Sequence, residues 1–177
     1  ADEDVQDNPN GLHANFRLGA GGDEIGLFVK IDSNIVLVDS VEFPDQESDV
    51  SYGRFPDGDK AWRYFGVPTP RSANIGAYAG FVSDVEFSAK RGFYESPISV
   101  TLACDTEGAV ILYSIDGTEP GKAEGRGLTG TLYTTPIPID KTTTLRAAAH
   151  KSSWKPSEVE THTYIYIEHV KTQSPDG

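Results

Sequence analysis

The side chains able to do chemistry are thinly spread. Four histidines (His13, His150, His162 and His169) and one cysteine, Cys104, stand among 27 acidic residues. No two histidines have the spacing of a zinc site such as H-E-x-x-H, and none lies beside a cysteine pair. His150 and His162 fall on expected strands and could face each other across a sheet. No G-x-S-x-G elbow, phosphate-binding loop or dinucleotide fingerprint occurs, and the glycines of GAGGDE read as a turn before a strand. Two carboxylates do acid–base work only when a cleft holds them together, and an acid-rich chain offers many chance pairs. No catalytic residue is therefore expected, and the chain is read as not an enzyme.

Two other patterns are candidates for binding. Asp2, Asp4 and Asp7 form D-x-D-x-x-D in a polar loop ending on Gly11. Calcium takes roughly six to eight hard oxygen ligands, and such loops supply them. The loop lacks the glutamate of an EF-hand, so calcium stands as the single candidate cofactor, with none otherwise expected. Trp62, Tyr64 and Trp154 are candidate platforms for carbohydrate, because a sugar ring stacks on a flat apolar face bordered by polar groups. Successive strand residues point to opposite faces, so one of Tyr64 and Phe65 is expected in a core, while Trp62 and Tyr64 share a face. Aromatics filling a small sandwich core are the competing reading.

Composition narrows the partners. Twenty-seven acids against 15 bases give a formal charge of -12, which argues against binding a nucleic-acid backbone. No apolar run approaches the length of a membrane helix, so no membrane insertion is expected. Cys104 cannot form an internal disulfide and closes the alternation Ile98-Val100-Leu102-Cys104, the position of a small core residue. With no methionine, the chain is expected to be a processed product or part of a longer one, with any export signal upstream.

The elements that must carry these residues are strands throughout. IGLFVK (25–30) and NIVLVDSVEF (34–43) flank a hairpin turn at KIDSN, with Val36, Val38 and Phe43 suggesting half-buried faces. SYGRFPDGDKAWRYF (51–65) breaks at Pro56-Asp57-Gly58 into two aromatic-rich strands. VPTPRSANIGAYAG is aperiodic and marks a boundary, with a linker at 75–80. Beyond it VEFSA, ISVTLAC, AVILYSI, TLYTTPIPI, TTLRAAAHK and HTYIYIEHV recur with the spacing of a sandwich. The strand over 109–115 is expected to be central and to leave the sheet through Asp116–Pro120, with Gly117 at φ > 0. Pro136 and Pro138 assign 135–139 to an edge or a sheet switch. No helix is expected, and 169–177 reads as a polar tail or linker.

Three motifs in order carry a resemblance. LYSIDGTEP (112–120), LYTTPIPI (132–139) and KTTTLRAAAH (141–150) resemble the chitobiase/β-hexosaminidase C-terminal domain, a fibronectin-III-like accessory module, over about 81–168. GDEIGLF (22–28), VDSVEF (38–43), SYGRFPDG (51–58) and PTPRSAN (68–74) resemble the C-terminal half of a bacterial lamin-tail domain, without its earlier strands. The pair is similar to the region upstream of CotH-type kinase domains, and no kinase motif lies in this chain.

The resulting expectation is an all-β chain, an Ig-like β-sandwich (81–168) preceded by a partial Ig-like β-domain (1–74). Its implied role is a non-catalytic accessory module, spacer or adhesive, of a secreted or cell-surface bacterial protein, with any catalytic domain outside this chain. The expected partners are other domains of the parent protein and a polysaccharide or protein ligand. A sheet missing its first strands also leaves an edge for self-association.

Overall fold

The computed structural model describes residues 17–124 and 127–171. The chain is almost entirely β and divides into two units, Ala1–Ala77 and Tyr78–Gly177.

In the first unit β1 (Asp23–Ile31) and β2 (Asn34–Phe43) form an antiparallel hairpin. Asp32, at φ 54°, makes the two-residue turn, a left-handed position that aspartate tolerates better than most residues. Leu27 lies opposite Asp39 and Phe28 opposite Leu37, so the extra residue of the bulge is Val38, in β2. β3 (Ser51–Arg54) and β4 (Trp62–Phe65) form a second antiparallel pair, in a sheet ordered β3-β4-β5 with β5 at Ala77–Tyr78. Two loops tie its rim together. The Asn74 N–H donates to the Asp57 carboxylate at 3.1 Å, and the Asn74 side chain donates to the Arg54 carbonyl at 2.9 Å. The FPDG turn and the end of PTPRSAN are thus one joint, which linear spacing does not reveal.

The hairpin departs from expectation. Val36 and Val38, read as half-buried, are exposed, as are Ile25, Leu27, Phe28, Val29, Ile31, Ile35 and Leu37. Alternation showed which residues are strand, but it did not show that these nine side chains stand in solvent.

The second unit is the sandwich. Its large sheet runs β13-β10-β15-β16-β7, built from β7 (Gly92–Tyr94), β10 (Val110–Ser114), β13 (Thr131–Leu132), β15 (Thr143–His150) and β16 (Glu160–Tyr166). The facing layer pairs β6 (Glu86–Phe87) with β9 (Leu102–Ala103), and β8 (Ile98–Val100) with β14 (Ile137–Ile139). A small hairpin, β11 (Ala123–Glu124) and β12 (Gly127–Leu128), stands in the loop after the DGT turn. Val100, Leu102, Ile137 and Ile139 meet Ile111, Leu145, Ala147, Ala149, Tyr164 and Tyr166 in one core. Small alanines on β15 leave room for the two tyrosines. Tyr166 keeps its hydroxyl satisfied in the interior, donating to the Ile139 carbonyl at 2.6 Å. Cys104 packs against this core and its thiol donates to the Ser83 carbonyl at 3.3 Å.

β10 is an interior strand, flanked by β13 and β15, and Pro138 lies in β14, which among the described residues pairs with β8 alone, as the turn and proline arguments required. Gly117 takes φ 85°. Asp116 accepts from the Thr118 hydroxyl and N–H at 2.7 and 3.0 Å, and these bonds hold its carboxyl below the usual range. The Arg146 guanidinium donates to the Gly117 carbonyl at 2.9 Å. The break in ILYSIDGTEP is therefore structural.

Three expectations fail. The run 98–104 is two strands, β8 and β9, that pair with different partners on either side of Thr101. The final strand stops at Tyr166, where α1 (Ile167–Lys171) begins, so residues 169–171 are helical rather than tail. Glu168 in the first turn suits the helix dipole, and Lys171 bonds back to it at 2.7 Å. The end of the expected linker also belongs to the sandwich. The Ala79 N–H donates to the Ser153 carbonyl at 2.8 Å, the Lys155 N–H to the Gly80 carbonyl at 2.9 Å, and Gly80 is buried.

Candidate functional site

The aromatic candidates fall in different units. On β4 Phe65 turns inward and is buried, whereas Trp62 and Tyr64 share the other face. Tyr52 of β3 lies directly opposite Tyr64 and joins them in a row. The Tyr52 and Trp62 rings stack at 5.4 Å and 22°, and Tyr52 and Tyr64 lie 4.9 Å apart. The Arg54 guanidinium stands 5.2 Å from the Trp62 ring centre and is held by Asp39 of β2 at 2.6 Å. Burial, with the phenol of Tyr52 and the carboxylates of Glu47 and Asp45 adding to it, raises the Tyr64 hydroxyl pKa. An apolar cleft of about 400 Å³ opens beside this row, with Ile25, Val41 and Phe43 of the hairpin on one wall and Tyr52 and Trp62 on the other. Tyr52 and Arg54 were not singled out from the sequence. Their signal was the register of a short hairpin, which places each opposite a candidate aromatic.

Trp154 is engaged in a different way. The Lys151 ammonium stands 4.1 Å from its ring centre, and the ring packs against the sandwich core. A methyl group at Gly80 would come within 2.8 Å of Cζ3 of the indole. The ring thus fastens 79–82 to 153–155.

His150 and His162 do not meet. His162 lies opposite Leu145, while His150 sits beyond the paired stretch and opposite Val110. His162 stacks on Phe87 at 4.2 Å, and its Nδ1 is 3.1 Å from the Ala89 carbonyl. His150 is half-buried with its Nε2 closed off from solvent and without a hydrogen-bond partner, and burial lowers its pKa. Asp2, Asp4 and Asp7 lie outside the described residues, as does His13. Among the described residues no three His, Cys, Asp or Glu side chains are grouped to hold a metal, and no helix is long and apolar enough to cross a membrane.

The hairpin itself is a surface feature. Nine of its large apolar side chains are 38–74 % exposed, while Val41 and Phe43 are half-buried. On one face of β1, Ile25, Leu27, Val29 and Ile31 form an unbroken stripe. On the other, the Phe28 ring lies over Gly26, where a Cβ would come within 2.6 Å of it. At about 150 Å² per side chain these fractions sum to roughly 700 Å² of apolar surface. Shared between the two faces of the ribbon, this gives each face an area in the range of the largest apolar patch of a typical monomer, about 300–600 Å², which is often functional.

Comparison with known proteins finds a match within the second unit. Residues 89–161 match the chitobiase/beta-hexosaminidase C-terminal domain. That domain is a non-catalytic Ig-like module. The matched stretch runs from the approach to β7 into β16 and contains the DGT turn, the proline-bearing β14 and the alanine-rich β15. No curated protein and no solved structure matches the chain.

Proposed function

We propose that this chain is a non-catalytic interaction module of a secreted or cell-surface bacterial multidomain protein, in which the sandwich is a spacer and the β1–β2 hairpin is the adhesive element. The observation that carries this reading is the hairpin, whose large side chains stand in solvent on both faces. An isolated two-stranded hairpin is marginal in water, and an apolar patch of this size is often functional. Support for the setting comes from the match at 89–161 to an accessory domain and from the formal charge of -12. The lamin-tail resemblance of the first unit and the CotH-type context belong to the same proposal. The joint between Asp57 and Asn74 gives the FPDG and PTPRSAN motifs a common structural purpose.

Binding of an environment-sensitive hydrophobic dye by the full chain tests the reading. Strong binding is expected, and the variant Leu27→Lys/Ile35→Lys should lose most of it while keeping the far-ultraviolet β signature. A dye-silent parent chain would overturn the proposal.

A carbohydrate-binding role is the second reading, favoured by the Tyr52–Trp62–Tyr64 row beside an apolar cleft. Retention on insoluble chitin, cellulose or peptidoglycan that Trp62→Ala abolishes would establish it. Equal retention of parent and variant would remove it.

A further inference from the structure

We infer that the hairpin docks a second copy of this chain, β1 against β1 of its partner in antiparallel register about Leu27. The inference rests on the interaction-module reading and names its partner.

Three observations select this arrangement. The first is which edge is open. Among the described residues β1 is hydrogen-bonded to β2 alone, and β2 likewise only to β1. A bulge bends a strand and blunts its outer edge. The extra residue, Val38, lies in β2, so β1 runs unbroken over Asp23–Ile31 and presents a regular ladder.

The second observation is charge. In an antiparallel pair related by a two-fold axis through Leu27, Glu24 of each copy meets Lys30 of the other. Ile25 meets Val29, Gly26 meets Phe28, and Leu27 meets itself. Opposite charges directly across a pair of strands are favourable, and like charges are not. The same operation on β2 has no such solution, because Asp39 and Glu42 are its only charged residues.

The third is what the pairing achieves. Two hairpins joined edge to edge make a four-stranded sheet, past the about three strands that independent stability requires. The stripe Ile25-Leu27-Val29-Ile31 becomes continuous with its copy. The partner is self-complementary, as a two-fold interface must be.

Sedimentation equilibrium of the full chain from micromolar to millimolar concentration reads the association directly, with a reversible dimer expected. Lys30→Glu places Glu24 opposite a second acid at two symmetric positions and should weaken dimerisation roughly tenfold. Glu24→Lys should do the same, and the double variant Glu24→Lys/Lys30→Glu should restore it. Leu27→Cys in a Cys104→Ala background should form an oxidised dimer, since directly opposite antiparallel residues have Cα atoms about 4.5–5.5 Å apart, within the about 4.4–6.8 Å that a disulfide spans. Ile31→Cys in the same background, facing Asp23, should not. A chain that stays monomeric yet binds the dye overturns the second-copy inference and leaves the interaction reading standing. A monomer that is also dye-silent overturns both. A dimer indifferent to the charge variants, without the Leu27→Cys crosslink, overturns the β1 register.

Discussion

Two glycines in the sandwich allow the cost of a backbone angle to be separated from the cost of a collision. Gly117 and Gly121 have φ values of 85° and 79°, so an alanine at either site is held in the left-handed region. That region costs an L-residue about 1–2 kcal/mol. The surroundings differ. A Cβ at Gly117 meets nothing within 4 Å. A Cβ at Gly121 runs into the His150 ring, within 2.6 Å of Cε1 and 2.9 Å of Cδ2 and closer still to Nε2. Forcing a group into filled space costs about a further 1–3 kcal/mol. Gly117→Ala should therefore cost about 1–2 kcal/mol and Gly121→Ala about 2–5 kcal/mol. Trimming the obstacle in Gly121→Ala/His150→Ala should bring the second penalty back towards the first, measured against His150→Ala alone. Urea unfolding followed by Trp154 fluorescence in a Trp62→Phe background reads the sandwich by itself. Equal losses at the two glycines would refute the steric argument. A neutral Gly117→Ala would refute the account of why glycine stands after Asp116.

The geometry sets three further outcomes. Burial lowers the His150 pKa, so the unfolded chain binds this proton first. Stability from this group is complete above about pH 6.5 and is lost as pH falls through the lower folded value. His150→Gln should flatten that part of a plot of urea midpoint against pH. Tyr166→Phe leaves the buried Ile139 carbonyl without its donor and should cost about 1–3 kcal/mol by the same unfolding assay. Limited proteolysis should cut at exposed Ile75–Gly76 before it cuts 98–115, because the ladder bonds from Ala79 onward protect the sandwich; early cleavage in β10 would contradict this.

Legibility in the sequence tracks the range of the interactions concerned. The turn at Asp116–Gly117 is local, and its glycine angle could be read from residue types alone. The inward row Val100 and Leu102 was equally legible, because alternation reports a buried face. The same alternation hid the switch at Thr101, since side chains keep alternating while the backbone changes hydrogen-bonding partner. β7 was invisible because three residues hold no period and its parallel partner, β16, lies some seventy residues on. The five-residue α1 is too short for a helical period. Of the candidate site, the shared face of Trp62 and Tyr64 was legible, but Tyr52 and Arg54 needed the β3–β4 register. The composition of the hairpin was legible too. Its exposure was not, because an apolar strand does not say what covers it.

The central claim, that β1 and β2 are an open apolar surface offered to a partner, is tested most directly by hydroxyl-radical footprinting at a dilution where the chain is monomeric. Leu27, Phe28, Ile35 and Leu37 should then be oxidised readily, while buried Leu145 and Tyr164 stay protected. Raising the concentration should protect Leu27 first. Hairpin side chains as protected as Leu145 in the dilute monomer would mean that the chain covers its own hairpin, and would contradict the account.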